Sequence, residues 1–260
     1  MSAPVFVLEP DVLAEAQAGA TVVLAGAEGR HAASVVRLAP GERAVLVDGR
    51  GRRADAIVRD TTGRDQVSFD IEAIADEPEP PQSFVVAQAL PKGDRGELAV
   101  EVMTEVGVDV IIPWSASRCV SVWRGDRAEK SLRKWQDAAR AAAKQSRRAR
   151  HPRVEPLAST TAVVARVRQA ALALVLDEEA AAPIGSVELP NAGEVLLIVG
   201  PEGGITDDER DAFAQAGARA VRLGPTVLRT STAGVVGLTA LLAGSPRWER
   251  ADDGHGRMAT

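Results

Sequence analysis

The sequence predicts an α/β protein in two parts, a small β domain followed by a larger domain built on a parallel sheet. Residues 1–75 read as short strands between turn signals, whereas from residue 83 the rhythm changes to strand then helix. Between them "ADEPEPPQ", Ala75–Gln82, mixes acid with proline and is expected to run extended. At 260 residues the chain is long enough for one large domain or two modest ones.

The first part carries "VFVL" at Val5, "TVVL" at Thr21, "ERAVLVDGRGRRADAIV" from Glu42 and "QVSFDIEAI" from Gln66, with one helical stretch over Glu28–Leu38. "DGRG" at Asp48–Gly51 is a hairpin signal. A small β-barrel closes such strands without exposed edges. The second part alternates "SFVVAQAL", a helix over Arg95–Glu105, "VDVIIPW" and a long basic helix over Arg127–Lys144. It continues with a helix over Thr161–Gln169, "ALALVL", "EVLLIV", a helix over Asp207–Ala216, "ARAVRL" and a last helix over Thr232–Ala243. Val/Ile/Leu-rich strands separated by helices imply a parallel sheet covered on both faces. The expected boundaries are therefore 1–75, a linker over 76–82, 83–247, and a disordered tail over 248–260, "WERADDGHGRMAT".

Composition excludes several classes. No apolar run approaches the roughly 20 residues of a bilayer span, and "MSAPVFVLEP" does not read as a signal peptide, so a cytoplasmic protein without membrane contact is expected. Cys119 is the single cysteine, and His31, His151 and His255 are widely separated, so no metal site is expected. The formal net charge is -5, yet from Arg118 to Arg153 a run of arginines and lysines faces only Asp126, Glu129 and Asp137. A basic stripe inside an acidic protein points to nucleic acid.

Two loops follow strands in the second part. "LLIVGPEGGITDDE", Leu196–Glu209, is neither a GxxxxGK[ST] loop nor a GxGxxG loop, and its acids disfavour a polyphosphate. "TDDE" reads as a capping box, with Glu209 reaching back to Thr206. Glu202 precedes the cap and has no helical use. In "VRLGPTVLRTSTAG", Val221–Gly234, Thr230 or Ser231 is the expected N-cap. Arg229 adds positive charge to an already positive helix start, an unfavourable choice unless an anion arrives.

These loops together resemble the cofactor-binding pair of the SPOUT class of S-adenosylmethionine-dependent RNA methyltransferases, and most of all its RsmE-type 16S rRNA uridine-N3 methyltransferases. "HAASVVRLAPGERAVLVDG" is similar to that family's PUA-like RNA-binding barrel. "PKGDRGELAVEVMTEVGVDVIIPWSASRCV" and "RKWQDAARAAAKQSRRARHPRV" are similar to segments of its catalytic domain. The resemblance implies a SPOUT α/β domain with a deep trefoil knot and a homodimer. It implies methylation of uridine N3 in the decoding region of 16S rRNA within the small ribosomal subunit, with S-adenosyl-L-methionine as donor. Carried over by position, the cofactor residues are Leu176, Val199, Gly200, Pro201, Glu202, Gly203, Leu223, Gly224, Val227, Leu228, Thr230 and Ser231. The family commonly has VLRTET where "VLRTST" stands here, so Ser231 occupies the place of a glutamate.

Removing the N3 proton of uridine leaves negative charge on the flanking carbonyls, for which Arg229 is the candidate stabiliser and Glu202 the candidate base or sulfonium-facing acid. RNA contacts are expected from Arg30, His31, Arg37, Arg95, Arg118, Arg147, Arg148 and Arg150, although His31 equally suits a core or capping role. Trp114, Trp123 and Trp135 read as core or interface residues. Two other classes compete: a ribosome-assembly factor with the same fold and impaired turnover, and a nucleotide-dependent oxidoreductase, disfavoured by the missing phosphate fingerprint. Binding to small-subunit RNA is expected to weaken steeply between low and moderate salt, measured by filter binding, and a flat response would remove the phosphate contacts.

Overall fold

The computed structural model describes residues 3–248, and it divides into two compact units. The first comprises residues up to Glu79 together with Ala139–Pro152, and the second Pro80–Ala138 with the chain from Arg153 onward.

The first unit is a five-stranded sheet of β1 (Val5–Val7), β2 (Thr21–Leu24), β3 (Arg43–Val47), β4 (Arg52–Thr62) and β5 (Gln66–Asp76), in the order β1-β3-β4-β5-β2. Phe6, Leu46, Phe69 and Leu13, the last from the short helix α1 (Pro10–Glu15), are fully buried in its core. Sequence pattern missed α1, whose six residues are too few to show a period. The β3–β4 turn is closed by Asp48, whose Oδ1 accepts from the backbone N–H of Arg50 (2.7 Å) and Arg52 (3.0 Å). The helix expected over Glu28–Leu38 is instead α2 (Gly26–Arg30) running into a π-helical stretch over His31–Val36. Its wide last turn closes when Arg37 adopts φ 61° and its N–H reaches Ala32 O.

The second unit contains β6 (Gln82–Ala89), α3 (Arg95–Val106), β7 (Val110–Ser115), α4 (Asp126–Gln145), and the two-residue strands β8 (Arg153–Val154) and β9 (Ala158–Ser159). It continues with α5 (Thr160–Val167), β10 (Leu172–Leu176), β11 (Gly193–Val199), α6 (Asp207–Gln215), β12 (Arg219–Val221) and α7 (Thr230–Ala243). The strands are parallel in the order β12-β10-β11-β6-β7-β8, with β9 also on β7. Alternation along β6 divides its neighbours. Val85, Ala87 and Ala89 join Val163 and Phe213 of α5 and α6 in one core cluster, while Gln88 and Met103 of α3 both close on Gly234 of α7.

Helix α4 crosses the division, since its residues from Ala139 count with the first unit, where an unbroken domain over 83–247 was expected. The reason is local pairing: Gly51 N–H donates to Ala149 O (3.1 Å) and His151 N–H to Gly49 O (2.9 Å), which seats the end of the basic segment on the β3–β4 turn. The expected linker also shrinks, because Asp76 still belongs to β5 and Gln82 already to β6. Of the expected tail, Trp248 closes a 3-10 turn over Pro246–Trp248 and donates from Nε1 to Val106 O (3.3 Å); residues 249–260 lie outside the described residues. Among the described residues no helix is long and apolar enough to cross a membrane.

The segment just after α7 is clamped by a half-buried ion pair. Arg247 donates to both oxygens of Asp109 at 2.7 and 3.0 Å, and Asp109 Oδ2 also accepts from Phe84 N–H (2.8 Å). Removing one partner of such a pair strands the other charge. Asp109→Ala is expected to lower stability by about 3 kcal/mol in denaturant unfolding, and adding Arg247→Met is expected to recover part of that loss.

Candidate functional site

A cavity of about 620 Å³ opens where β10, β11 and β12 end, within the size range of small-ligand sites. Ligands of open parallel sheets collect at these carboxyl ends because the loops there diverge. Leu176 and Val199, the last residues of β10 and β11, line it.

The first wall is the turn Gly200–Ile205. It is held by two close approaches that leave no room for side chains: a Cβ on Gly200 would lie 2.7 Å from Ile205 Cγ1, and one on Gly203 would lie 3.0 Å from Arg118 Cβ. Arg118 Nη1 also donates to Gly203 O (3.2 Å), so this arginine, expected at the RNA surface, lines the cavity. Glu202 lines it too, with Oε1 accepting from Lys92 N–H (3.2 Å) in the β6–α3 loop.

The second wall runs from Arg222 to Ala233. Leu223, Gly224, Val227, Leu228, Arg229 and Thr230 contribute, with Val227 75 % exposed. The N-cap of α7 is neither Thr230 nor Ser231, contrary to the expectation from their hydroxyls. Arg229 is the N-cap residue (φ -68°, ψ 148°), and no side chain caps α7. Helical backbone begins at Thr230, so Ser231 turns about 100° further round and away from the cavity wall, and is only 3 % exposed. Ser231 does not line the cavity, whereas the other cofactor residues carried over from the resemblance do. Arg229 is exposed and makes no ion pair among the described residues.

Charges on the opposite side come from Asp177, Glu178 and Glu179 after β10. Arg210 answers part of this: it pairs with Asp207, approaches Asp177 Oδ2 to 4.0 Å and donates to Ile205 O (3.3 Å). Asp177 was not singled out in the sequence, although its place directly after a strand is a usable signal.

Glu209 does more than cap α6. Its capping box with Thr206 forms as the spacing predicts, but the carboxylate is 3 % exposed and also accepts from Ser117 N–H (2.9 Å), Ser117 Oγ (2.9 Å) and Thr160 Oγ1 (3.0 Å). Nothing in the linear spacing links Glu209 to residues 92 and 49 positions earlier.

The remaining candidate RNA residues divide between the units. Arg95 is exposed at the start of α3. In the first unit Arg30, His31 and Arg37 are exposed on α2 and the π-helical stretch, and the His31 ring lies 6.1 Å from that of Phe6. Arg147 is exposed in a left-handed conformation (φ 60°) beside half-buried Arg148. Arg150 is engaged, donating to Glu77 O (2.9 Å) and lying 3.6 Å from Glu79. Trp114 is fully buried, and Trp123 meets Trp135 edge to face at 5.1 Å.

A parallel sheet with a glycine-walled cavity and an uncapped, arginine-marked helix start defines a small-ligand-binding α/β domain. Residues 78–242 match the family model described as an RNA methyltransferase domain, and residues 24–72 match that of the RNA methyltransferase PUA domain. The chain is 48 % identical over 235 residues to the ribosomal RNA small subunit methyltransferase E of Mycobacterium bovis, covering 89 % of each. Among solved structures it is similar to a ribosomal RNA small subunit methyltransferase E from Neisseria gonorrhoeae bound to S-adenosyl methionine (TM-score 0.80, 28 % identity, 93 % of this chain and 98 % of that one). A methyltransferase from Legionella pneumophila with bound SAM gives a TM-score of 0.79 at 27 % identity, covering 94 % and 98 %. The chain belongs to the ribosomal RNA small subunit methyltransferase E family, as the resemblance in the loops implied.

Glu209 gives the site a pH signature. Burial is the largest influence on its carboxyl and works to raise the pKa, but the donors from Ser117, Thr206 and Thr160 together outweigh it and hold the pKa below the ordinary value. A depressed carboxyl contributes stability above its unfolded value of about 4.3, and that stability is lost as pH falls through the folded value. Glu209→Gln is therefore expected to cost about 2 kcal/mol at pH 7 in thermal unfolding, and the two melting curves are expected to converge as pH falls through the depressed folded value.

Proposed function

We propose that this chain methylates N3 of a uridine in the decoding region of 16S rRNA, acting on the small ribosomal subunit with S-adenosyl-L-methionine as donor. The observation that carries the reading is the pairing of the Gly200–Ile205 turn with Arg229 at an uncapped helix start around one cavity. The residues present fit the donor. Leu176, Val199, Leu223 and Leu228 offer apolar surface for its adenine, glycine backbone can approach without side chains, and the carboxylates of Asp177 and Glu202 suit a cation. When bound, the donor supplies a methyl group on a positively charged sulfur.

The chain's own residues do the rest. The Arg229 guanidinium stabilises the charge that develops on the uridine carbonyls. Glu202, one oxygen held by Lys92 N–H, presents its other oxygen for the N3 proton or faces the sulfonium. Orientation of the two reactants in one cavity supplies a large share of the acceleration. Arg30, His31, Arg37, Arg95, Arg118, Arg147, Arg148 and Arg150 contact RNA.

The same reading extends to architecture. The first unit is a PUA-like RNA-binding barrel, and the second a SPOUT domain whose chain, after β12, threads as a deep trefoil knot before α7 packs on β6, β11 and α3. Return of α7 across the sheet from the β12 edge supports the threading. The protein works as a cytoplasmic homodimer, and the exposed Val236 on α7 is consistent with a partner surface.

Mass mapping of small-subunit RNA from a deletion strain, before and after addition of protein and methyl donor, tests the reaction. A gain of one methyl group on a single uridine supports it. Subunit binding without a mass change would favour an assembly factor instead. Arg229→Lys is expected to slow methyl transfer by about 100-fold with donor affinity nearly unchanged, and normal turnover by this variant would remove its assigned role.

A further inference from the structure

We infer that Gln88 is a positioning residue for the methyl-transfer site, fixing the start of α7 and with it Arg229 and the second cavity wall; this rests on the methyltransferase reading above. Gln88 is fully buried near the carboxyl end of β6, in a run that is otherwise apolar. Its Nε2 donates to Ala89 O (3.1 Å), at the end of the same strand, and to Thr230 O (3.2 Å), the first residue of α7. Its Oε1 has no hydrogen-bond partner among the described residues. Turning the amide over would not help, because the oxygen would then face two carbonyl oxygens, so the orientation is fixed by its acceptors.

An unpartnered amide oxygen in a core is a cost that an apolar side chain of similar size would not carry. Folding alone does not require this glutamine. What it does is local: it holds the carbonyl one residue beyond Arg229 and draws the first turn of α7 down onto β6. Gly234, one turn later, keeps the same closeness. A Cβ there would lie 2.8 Å from Gln88 Oε1 and 2.9 Å from Met103 Sδ. Thr230 and Ala233, on either side of this contact, line the cavity. A start of α7 that slid or rotated would move Arg229, whose side chain makes no ion pair among the described residues.

The test uses the full-length protein with Gln88→Met, which keeps volume and removes both the hydrogen bonds and the orphan oxygen. The melting temperature is expected to stay the same or rise. Amide exchange in the first turn of α7 is expected to quicken, S-adenosylmethionine binding by calorimetry to weaken about tenfold, and kcat to fall more than KM rises. Gly234→Ala, which pushes α7 outward, is expected to act in the same direction. Joining it to Gln88→Ala, which vacates the space its Cβ needs, is expected to lose less than the two single changes combined. Unchanged amide exchange and unchanged kcat in Gln88→Met would overturn the inference, as would a drop in melting temperature with binding and turnover intact. Failure of the wild-type protein to bind the donor would overturn the enzyme reading instead, since the exchange measurement reads Gln88 without any donor.

Discussion

The cavity depends on one buried carboxylate. Glu209 accepts hydrogen bonds from Thr206, Ser117 and Thr160, three points that are far apart in sequence and belong to the α6 cap, the loop after β7 and the start of α5. Two of them lie beside props of the first wall. Ile205, next to Thr206, fills the space under Gly200, and Arg118, next to Ser117, fills the space beside Gly203. Two glycines can therefore present bare backbone to a ligand because an ionised side chain behind them keeps their supports in register. Hydrogen bonds to a charged acceptor are about twice as strong as neutral ones, which suits a group holding a loop that must not relax.

The opposite wall follows a different logic. Its helix start is left without a side-chain cap, and an arginine stands where the local field is already positive. Gln88 and Gly234 then hold that start against the sheet by close approach rather than by charge. One wall is made firm by satisfying a carboxylate many times over, the other by a buried amide that is satisfied only in part.

Much of the fold was legible in the sequence, since every strand from β1 to β7 and from β10 to β12 shows its apolar run and α3, α4, α5 and α6 show their period or caps. The two loops were legible because their composition excluded phosphate and matched a family. Three things were not. The π-helical stretch over His31–Val36 uses the same residues as an α-helix and differs only in where Arg37 turns. The cap of α7 was misplaced by preference, since hydroxyl residues at 230 and 231 suit capping in general, and here the helix already begins at Thr230 with Arg229 as its N-cap. Gln88 and the wider role of Glu209 depend on partners 142 and 92 residues away, a separation that no local pattern records.

Residues 139–152 join the first unit although they lie some way along the second in sequence. The first unit is accordingly discontinuous, and the chain passes between units at Glu79, at Ala138 and again at Pro152. During synthesis its sheet can pair early, but Ala149, which packs against Val5, Val45 and Val47, emerges only after the Pro80–Ala138 part of the second unit has been made. The N-terminal segment is thus completed by sequence that the other unit delivers, and neither can be excised by a single cut without taking something from its neighbour.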